Sequence, residues 1–213
     1  MEKIKIGELL KSGFEIVVKR PVLLVLGLFV ALPSLFMQEN ITSTTGILGL
    51  ISFLINIYSV GLIVRFLYES VEKRPSWREL NKFVLSKYIL LLITFAIYGA
   101  MVFVGSLLLV IPGVFLLIRL LLCDYGILLE DDSVIASLKR SWEMTKGNWW
   151  RLFTLFFVCI LPSIVFSFLK DLFPSVIFSS ISFLITIFVF VWSQSTFILV
   201  YLELKKIKRV IDK

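Results

Sequence analysis

Three charged side chains, Arg65, Arg119 and Asp124, stand inside stretches of sequence that are otherwise almost wholly apolar. An arginine near the centre of a bilayer costs about 3 kcal/mol on insertion scales, so such residues need a partner or a task. Four residues separate Arg65 from Glu69, close enough for its long stem to reach a polar boundary. Arg119 lies eleven residues before Glu130 and therefore sits deeper. Asp124 follows Arg119 by five residues, which places the two about 140° apart around a helix and discourages pairing between them. The chemistry open to this set is a structural ion pair across helices, with Asp124 or Glu69 as acceptors, the binding of a lipid phosphate or carboxylate, or an ion pathway. Asn56, Gln194, Ser52, Ser182, Ser193 and Ser195 add polar groups of the kind that join membrane helices.

Other chemistries lack their residues. The chain has no histidine, which removes the commonest general base and metal ligand. Cys123 and Cys159 lie in apolar runs, read as small hydrophobes, and cannot make a zinc site by themselves. No glycine-rich phosphate loop or dinucleotide fingerprint is present. No metal, no cofactor and no catalytic residue is expected.

The elements that must carry these residues follow from composition. Of 213 residues, 59% are hydrophobic and 17% charged, with a mean hydropathy of +0.98, a balance that calls for a bilayer as solvent. Apolar runs occupy roughly 21–37, 47–68, 88–129, 152–169 and 173–202. The third is twice the ~20 residues that a crossing needs, and "VGSLLLVIPG" supplies Gly and Pro for a tight hairpin between Gly105 and Gly113. Six crossings result. The expected fold is an all-α integral membrane protein, six transmembrane helices in three hairpins, each preceded by an amphipathic helix.

Lysine and arginine set the orientation. Five fall in the segment up to Arg20, five from Lys73 to Lys87, four from Lys139 to Arg151 and five after Glu203, against Lys170 alone on the opposite side. The positive-inside rule then predicts cytoplasmic N- and C-termini, an exported "QENITSTTG" loop and residence in the cell inner membrane. Trp77, Trp142, Trp149 and Trp150 fall at the same boundary, where indole rings prefer to sit. The N-terminal segment lacks the features of a cleaved signal and is read as retained. The formal charge of +7 is absorbed by this distribution, so nucleic acid is not an expected partner; anionic lipids of the bilayer are.

The basic segments have helical periodicity. In the third, Val134, Ile135, Leu138, Trp142 and Thr145 share one side, while Lys139, Arg140, Glu143 and Lys146 take the other, as in a helix lying in the headgroup plane. The second opens with Ser76 and Glu79 at capping-box spacing. The first aligns with the third: "LKSGFEIVVKRP" from Leu10 pairs with "LKRSWEMTKGNW" from Leu138, and further on "ISFLINI" from Ile51 meets "ISFLITI" from Ile181. The reading is an internal repeat of surface helix, span, span, with units 1–69, 70–130 and 131–213 of one membrane domain. A unit with two crossings returns the chain to its starting side, so the copies share one orientation, which disfavours inverted-repeat alternating access and leaves a parallel-repeat transporter open.

The stretch "IPGVFLLIRLLLCDYGILLEDDSVIASLKRSWEMTKGNWWRLF", Ile111 to Phe153, resembles the membrane domain that precedes the catalytic domain in some bacterial glycerophosphodiester phosphodiesterases. It is similar also to related families of uncharacterised prokaryotic integral membrane proteins. The matching positions are Pro112, Gly113, Arg119, Glu130, Lys139, Ser141, Trp142, Gly147 and Trp150, and the resemblance implies that they set the hairpin and anchor the surface helix. The catalytic domain of those enzymes depends on histidine and carboxylates on a barrel, so the resemblance implies that this chain is not an enzyme. The expected function is a non-catalytic, lipid-interacting, membrane-organising or scaffold component. The alternative is a small-solute or lipid transporter whose route passes Arg65, Arg119 and Asp124, with a homo-oligomer or another membrane protein as partner. A cavity lined by those charges would favour the transporter, and a packed interior with paired charges the scaffold.

Overall fold

A computed structural model describes residues 5–36, 43–70, 76–173 and 175–211. These form nine helices and no strand: α1 (Ile6–Lys19), α2 (Val22–Phe36), α3 (Ser43–Glu69), α4 (Trp77–Leu108), α5 (Val110–Leu120), α6 (Cys123–Glu130), α7 (Val134–Thr145), α8 (Trp149–Leu172) and α9 (Val176–Ile211). Among the described residues five segments are long and apolar enough to cross a membrane: Gly49–Glu69, Trp77–Leu108, Val110–Glu130, Trp149–Leu169 and Val176–Ile207. The chain is thus an all-helical, multi-pass membrane protein. The expected first crossing corresponds to α2, whose 15 residues fall short of a full span, and the exported loop lies largely outside the described residues.

The surface fits a hydrocarbon solvent. Ile111 is 81% exposed and Val176 83%, and Leu107, Leu108, Leu109 and Ile177 are similarly bare; in water such a belt would drive association. Inside, Ile63, Leu80, Leu91, Ile118, Leu122, Tyr125 and Tyr201 are shut away in one cluster.

The hairpin expected between Gly105 and Gly113 turns at Leu109, an extended residue between α4 and α5. The two glycines allow the helices to touch. A Cβ on Gly113 would stand 2.0 Å from the Ser106 hydroxyl and 2.9 Å from its Cα, and one on Gly105 would be 3.2 Å from the Gly113 backbone. Pro112 lies in the first turn of α5, where its missing N–H leaves no intrahelical bond unmade. The expected capping box differs: Ser76 is the N-cap of α4, but its side chain makes no cap hydrogen bond.

The three basic segments each pack on one of the long apolar segments. The start of α4 packs on α3, α7 packs on α5 and α6, and α1 packs on α9. Side chains fasten these contacts: the Tyr58 hydroxyl donates to Asn81 Oδ1 at 2.8 Å, and Trp192 Nε1 donates to the Leu10 carbonyl at 3.0 Å. In α1 the close point is Gly13, where a Cβ would fall 2.2 Å from Thr196 Oγ1.

Helix α7 is inverted relative to a soluble amphipathic helix. Its inward face is Ser137, Ser141, Met144 and Thr145, whereas Ile135 is 78% and Trp142 38% exposed. Thr145 therefore leaves the apolar stripe assigned to it from periodicity and joins a hydroxyl face that grips α5 and α6. Small side chains permit that close approach, while Ile135 points away from the protein and Trp142 packs at the rim against Phe115 and Arg119. The aligned positions of α1 behave alike: Gly13 and Val17 are buried while Phe14 is 46% exposed.

Candidate functional site

Arg65 is fully engaged. Its Nε donates to Glu69 Oε1 at 2.6 Å, its Nη1 donates to the Leu128 carbonyl at 3.1 Å, and its guanidinium lies 3.9 Å from the Phe83 ring centroid. It caps the C-terminal end of α6 from α3, filling the role of a cation at a helix C-terminus. Arg119 forms no ion pair among the described residues. The guanidinium is held between Phe115 and Trp142, 5.1 and 4.9 Å from their centroids, and Nη1 donates to the Trp142 carbonyl at 3.3 Å. Its Nε is buried without a hydrogen-bond partner. The pairing of an intramembrane arginine with an acid on another helix is therefore not what holds either residue: Arg65 takes Glu69 from its own helix, and Arg119 takes aromatic faces, which attract a desolvated guanidinium.

Trp142 touches Arg119, and Trp149 and Trp150 join it through Phe115, whereas Trp77 stacks on Phe66. Trp149 stacks on Phe115 and Phe153 and touches Trp150 edge-on, and its Nε1 donates to the Phe115 carbonyl at 3.4 Å. Trp150 is 75% exposed. Gly147 carries a φ of +85°, the left-handed turn that releases the chain from α7 into α8. Lys139 is exposed on the outer face of α7.

At the turn between α6 and α7, three successive acids reach three different elements. Glu130 accepts from Lys205 of α9 and, at 3.5 Å, from the Tyr201 hydroxyl. Asp131 accepts from Lys87 of α4 at 2.8 Å. Asp132 holds Arg140 of α7 through two bonds, 2.5 and 2.9 Å. Lys87 holds the Asp131 carboxyl below the usual carboxylate range by hydrogen bond and charge, and Asp132 raises the Arg140 guanidinium further. Of this cluster, sequence reasoning had singled out Glu130 and Arg140; the acids' partners lie 8 to 75 residues away, too remote for spacing to reveal.

Among the described residues Asp124 forms no ion pair, and no lysine or arginine lines the space it faces. Asp124 is 5% exposed, opens α6, and lies against the backbone N–H groups of Asp124 and Tyr125. It lines a partly open cavity of about 380 Å³ between α3, α4, the α5–α6 junction, α8 and α9. Asn56, Tyr98, Ser163, Thr186, Ser193 and Gln194 contribute the other polar groups, and phenylalanines from α4, α8 and α9 the walls. Gln194 Oε1 accepts from the Tyr125 hydroxyl at 3.2 Å. Neither Arg65 nor Arg119 reaches the cavity, so of the three charges expected along one route only Asp124 faces it. Both cysteines line it, free and buried. No group of three or more metal-ligating side chains occurs among the described residues.

Among curated proteins and among solved structures nothing matches the chain. One family model matches residues 40–203, a stretch that holds Arg65, Arg119, the acidic turn and the whole lining of the cavity. The chain accordingly belongs to the family described as Domain of unknown function (DUF7847).

Proposed function

We propose that this protein is a non-catalytic multi-pass membrane component that takes a small solute into the cavity between its helices, as a carrier or a solute-binding subunit. The observation that carries the reading is Asp124, a buried acid lining a cavity of about 380 Å³ with no lysine or arginine among the described lining residues. Ligand sites are usually pre-formed concavities of about 300–1,000 Å³ with apolar walls and a few convergent polar groups. Intramembrane acids are costly and are kept where they face a partner or a pathway.

The placement that goes with this reading has six spans in three hairpins of common orientation, a surface helix before each, and both termini on the cytoplasmic side of the inner membrane. The lysine and arginine distribution supports it, as do α1, α4 and α7, each leaning on a span of another unit. A relationship to the membrane domain of glycerophosphodiester phosphodiesterases remains a proposal resting on the Ile111 to Phe153 motif. The chain's lack of histidine supports a non-catalytic role.

Thermal unfolding of the purified full chain in maltoside micelles, screened against a library of small polar solutes, tests the reading. Ser163→Phe, which fills the cavity from α8, is the control. Solutes that stabilise the wild type and leave the variant unmoved are expected; a library without such a solute overturns the proposal.

A second reading has its own observation. Arg119, with an unpartnered buried Nε beside Trp142, Trp149 and Trp150, offers a cation at an indole-rich surface, the arrangement in which an anionic lipid headgroup is held.

A further inference from the structure

We propose that the Asp124 cavity is a site for a small organic monocation, an ammonium or amine carrying an apolar group; this rests on the solute-binding reading above and names the class of solute. The argument is one of charge and surface. Among the residues that line the cavity there is one ionisable acid and no lysine or arginine. Among the described residues Arg65, Lys87, Arg140 and Lys205 are paired with other acids, and Arg119, which has no acid partner, is held between Phe115 and Trp142 outside the lining. A buried carboxyl is costly to ionise alone, and a ligand that brings a positive charge offsets that cost by pairing with the carboxylate it stabilises.

The rest of the lining selects among cations. A divalent metal ion wants about six or more hard oxygen ligands, and the cavity offers a single carboxylate among largely apolar walls. The walls include Phe95, Tyr98, Tyr125, Phe156, Phe190 and Phe197, whose ring faces attract an ammonium stripped of water. Asn56 and Gln194 provide carbonyl oxygens that accept from N–H donors. An anion would meet the carboxylate and the negative faces of the rings. The two cysteine thiols and the tyrosine hydroxyls face the same space and carry no positive charge in any protonation state.

The test uses matched probes on the full chain in maltoside micelles, with equilibrium dialysis for affinity and thermal unfolding for stability. The cations are 2-phenylethylammonium and benzyltrimethylammonium; 2-phenylethanol and phenylacetate are the neutral and anionic counterparts. We expect at least one cation to bind about ten-fold or more tightly than 2-phenylethanol, the ratio worth about 1.4 kcal/mol, and phenylacetate to bind worst. Asp124→Asn should bring cation and alcohol to within about two-fold of one another, the charge-dependent part of the ratio being lost. Equal binding of cation and alcohol by the wild type overturns the charge claim while leaving the cavity in use. Cations that fail where other solutes stabilise the wild type and not Ser163→Phe overturn the ligand class alone. Failure of every solute overturns the solute-binding reading itself. The wild-type comparison of cation against alcohol decides the matter even if Asp124→Asn does not fold.

Discussion

Ser141 splices the break at Leu122: its hydroxyl oxygen accepts from the Leu122 N–H at 3.1 Å, and its O–H donates to the Arg119 carbonyl at 2.9 Å. The span Val110–Glu130 is interrupted between α5 and α6, so backbone groups there lose their helical partners. The Leu122 N–H is buried away from water, and a hydroxyl from α7 takes the place of the missing helical partner.

Ser141→Ala therefore leaves a buried N–H and a buried carbonyl each short of a bond. A loss of about 1–3 kcal/mol is expected, read as a lowered unfolding temperature of the purified chain. Ser141→Gly should cost no less, because the hydroxyl and not the space is what matters. Thr145 Oγ1 reaches the same Arg119 carbonyl at 3.3 Å, which holds the effect on that acceptor below a complete loss.

How much of this was legible in the sequence depends on which solvent each residue answers to. The long spans and the Leu109 turn follow from apolar runs broken by Gly and Pro, and those signals are local. The inward face of α7 was not legible, because helical periodicity is usually read with the apolar side turned to protein. In a bilayer the rule relaxes: Ile135 can stay outside the protein contact and Trp142 at its rim, which frees Ser137, Ser141 and Thr145 for the close contact. Asp124 was visible as an anomaly, yet its cavity draws on five parts of the chain, and the sequence could not show that Arg65 and Arg119 would be turned away from it.

The acidic turn should act as a clasp on α4, α7 and α9. Asp132→Asn weakens a bidentate bond to Arg140, and Asp132 is only 11% exposed, so the loss should exceed that at the outer pair. Asp131 is 71% exposed and its bond to Lys87 is screened, so Asp131→Asn should cost well under about 1 kcal/mol at neutral pH. Because Asp131 has a carboxyl depressed below its ordinary value in the folded chain, its contribution is complete above about pH 4 and is lost as pH falls further. Unfolding curves from pH 6 to pH 3 should fall less steeply for Asp131→Asn than for the wild type.

The α4–α5 hairpin tolerates no side chain at its crossing. In Gly113→Ala the new Cβ meets Ser106 Oγ at 2.0 Å and Ser106 Cα at 2.9 Å. Overpacking of about 1–3 kcal/mol is expected. Ser106→Gly removes the first contact and leaves the second, so the double variant should recover only part of the loss. Full recovery would mean that the backbones are not as close as they stand here.

Arg119 divides the lipid reading from a purely structural one. If its guanidinium serves only to pack between Phe115 and Trp142, Arg119→Lys and Arg119→Gln should both lower stability, and the lipids that accompany the purified chain should not change. If the unpartnered Nε and the neighbouring indoles hold a headgroup, a specific anionic lipid should be depleted from Arg119→Gln and retained at least in part by Arg119→Lys, which keeps the charge. Native mass spectrometry of the three proteins from the same membrane reads this directly. Lys139→Gln is the control for general attraction, since Lys139 is exposed on the far face of α7 from the buried hydroxyls and would shift all anionic lipids alike. An unchanged lipid profile in Arg119→Gln, with the fold intact, removes the headgroup site and leaves the arginine as a stacked strut between α5 and α7.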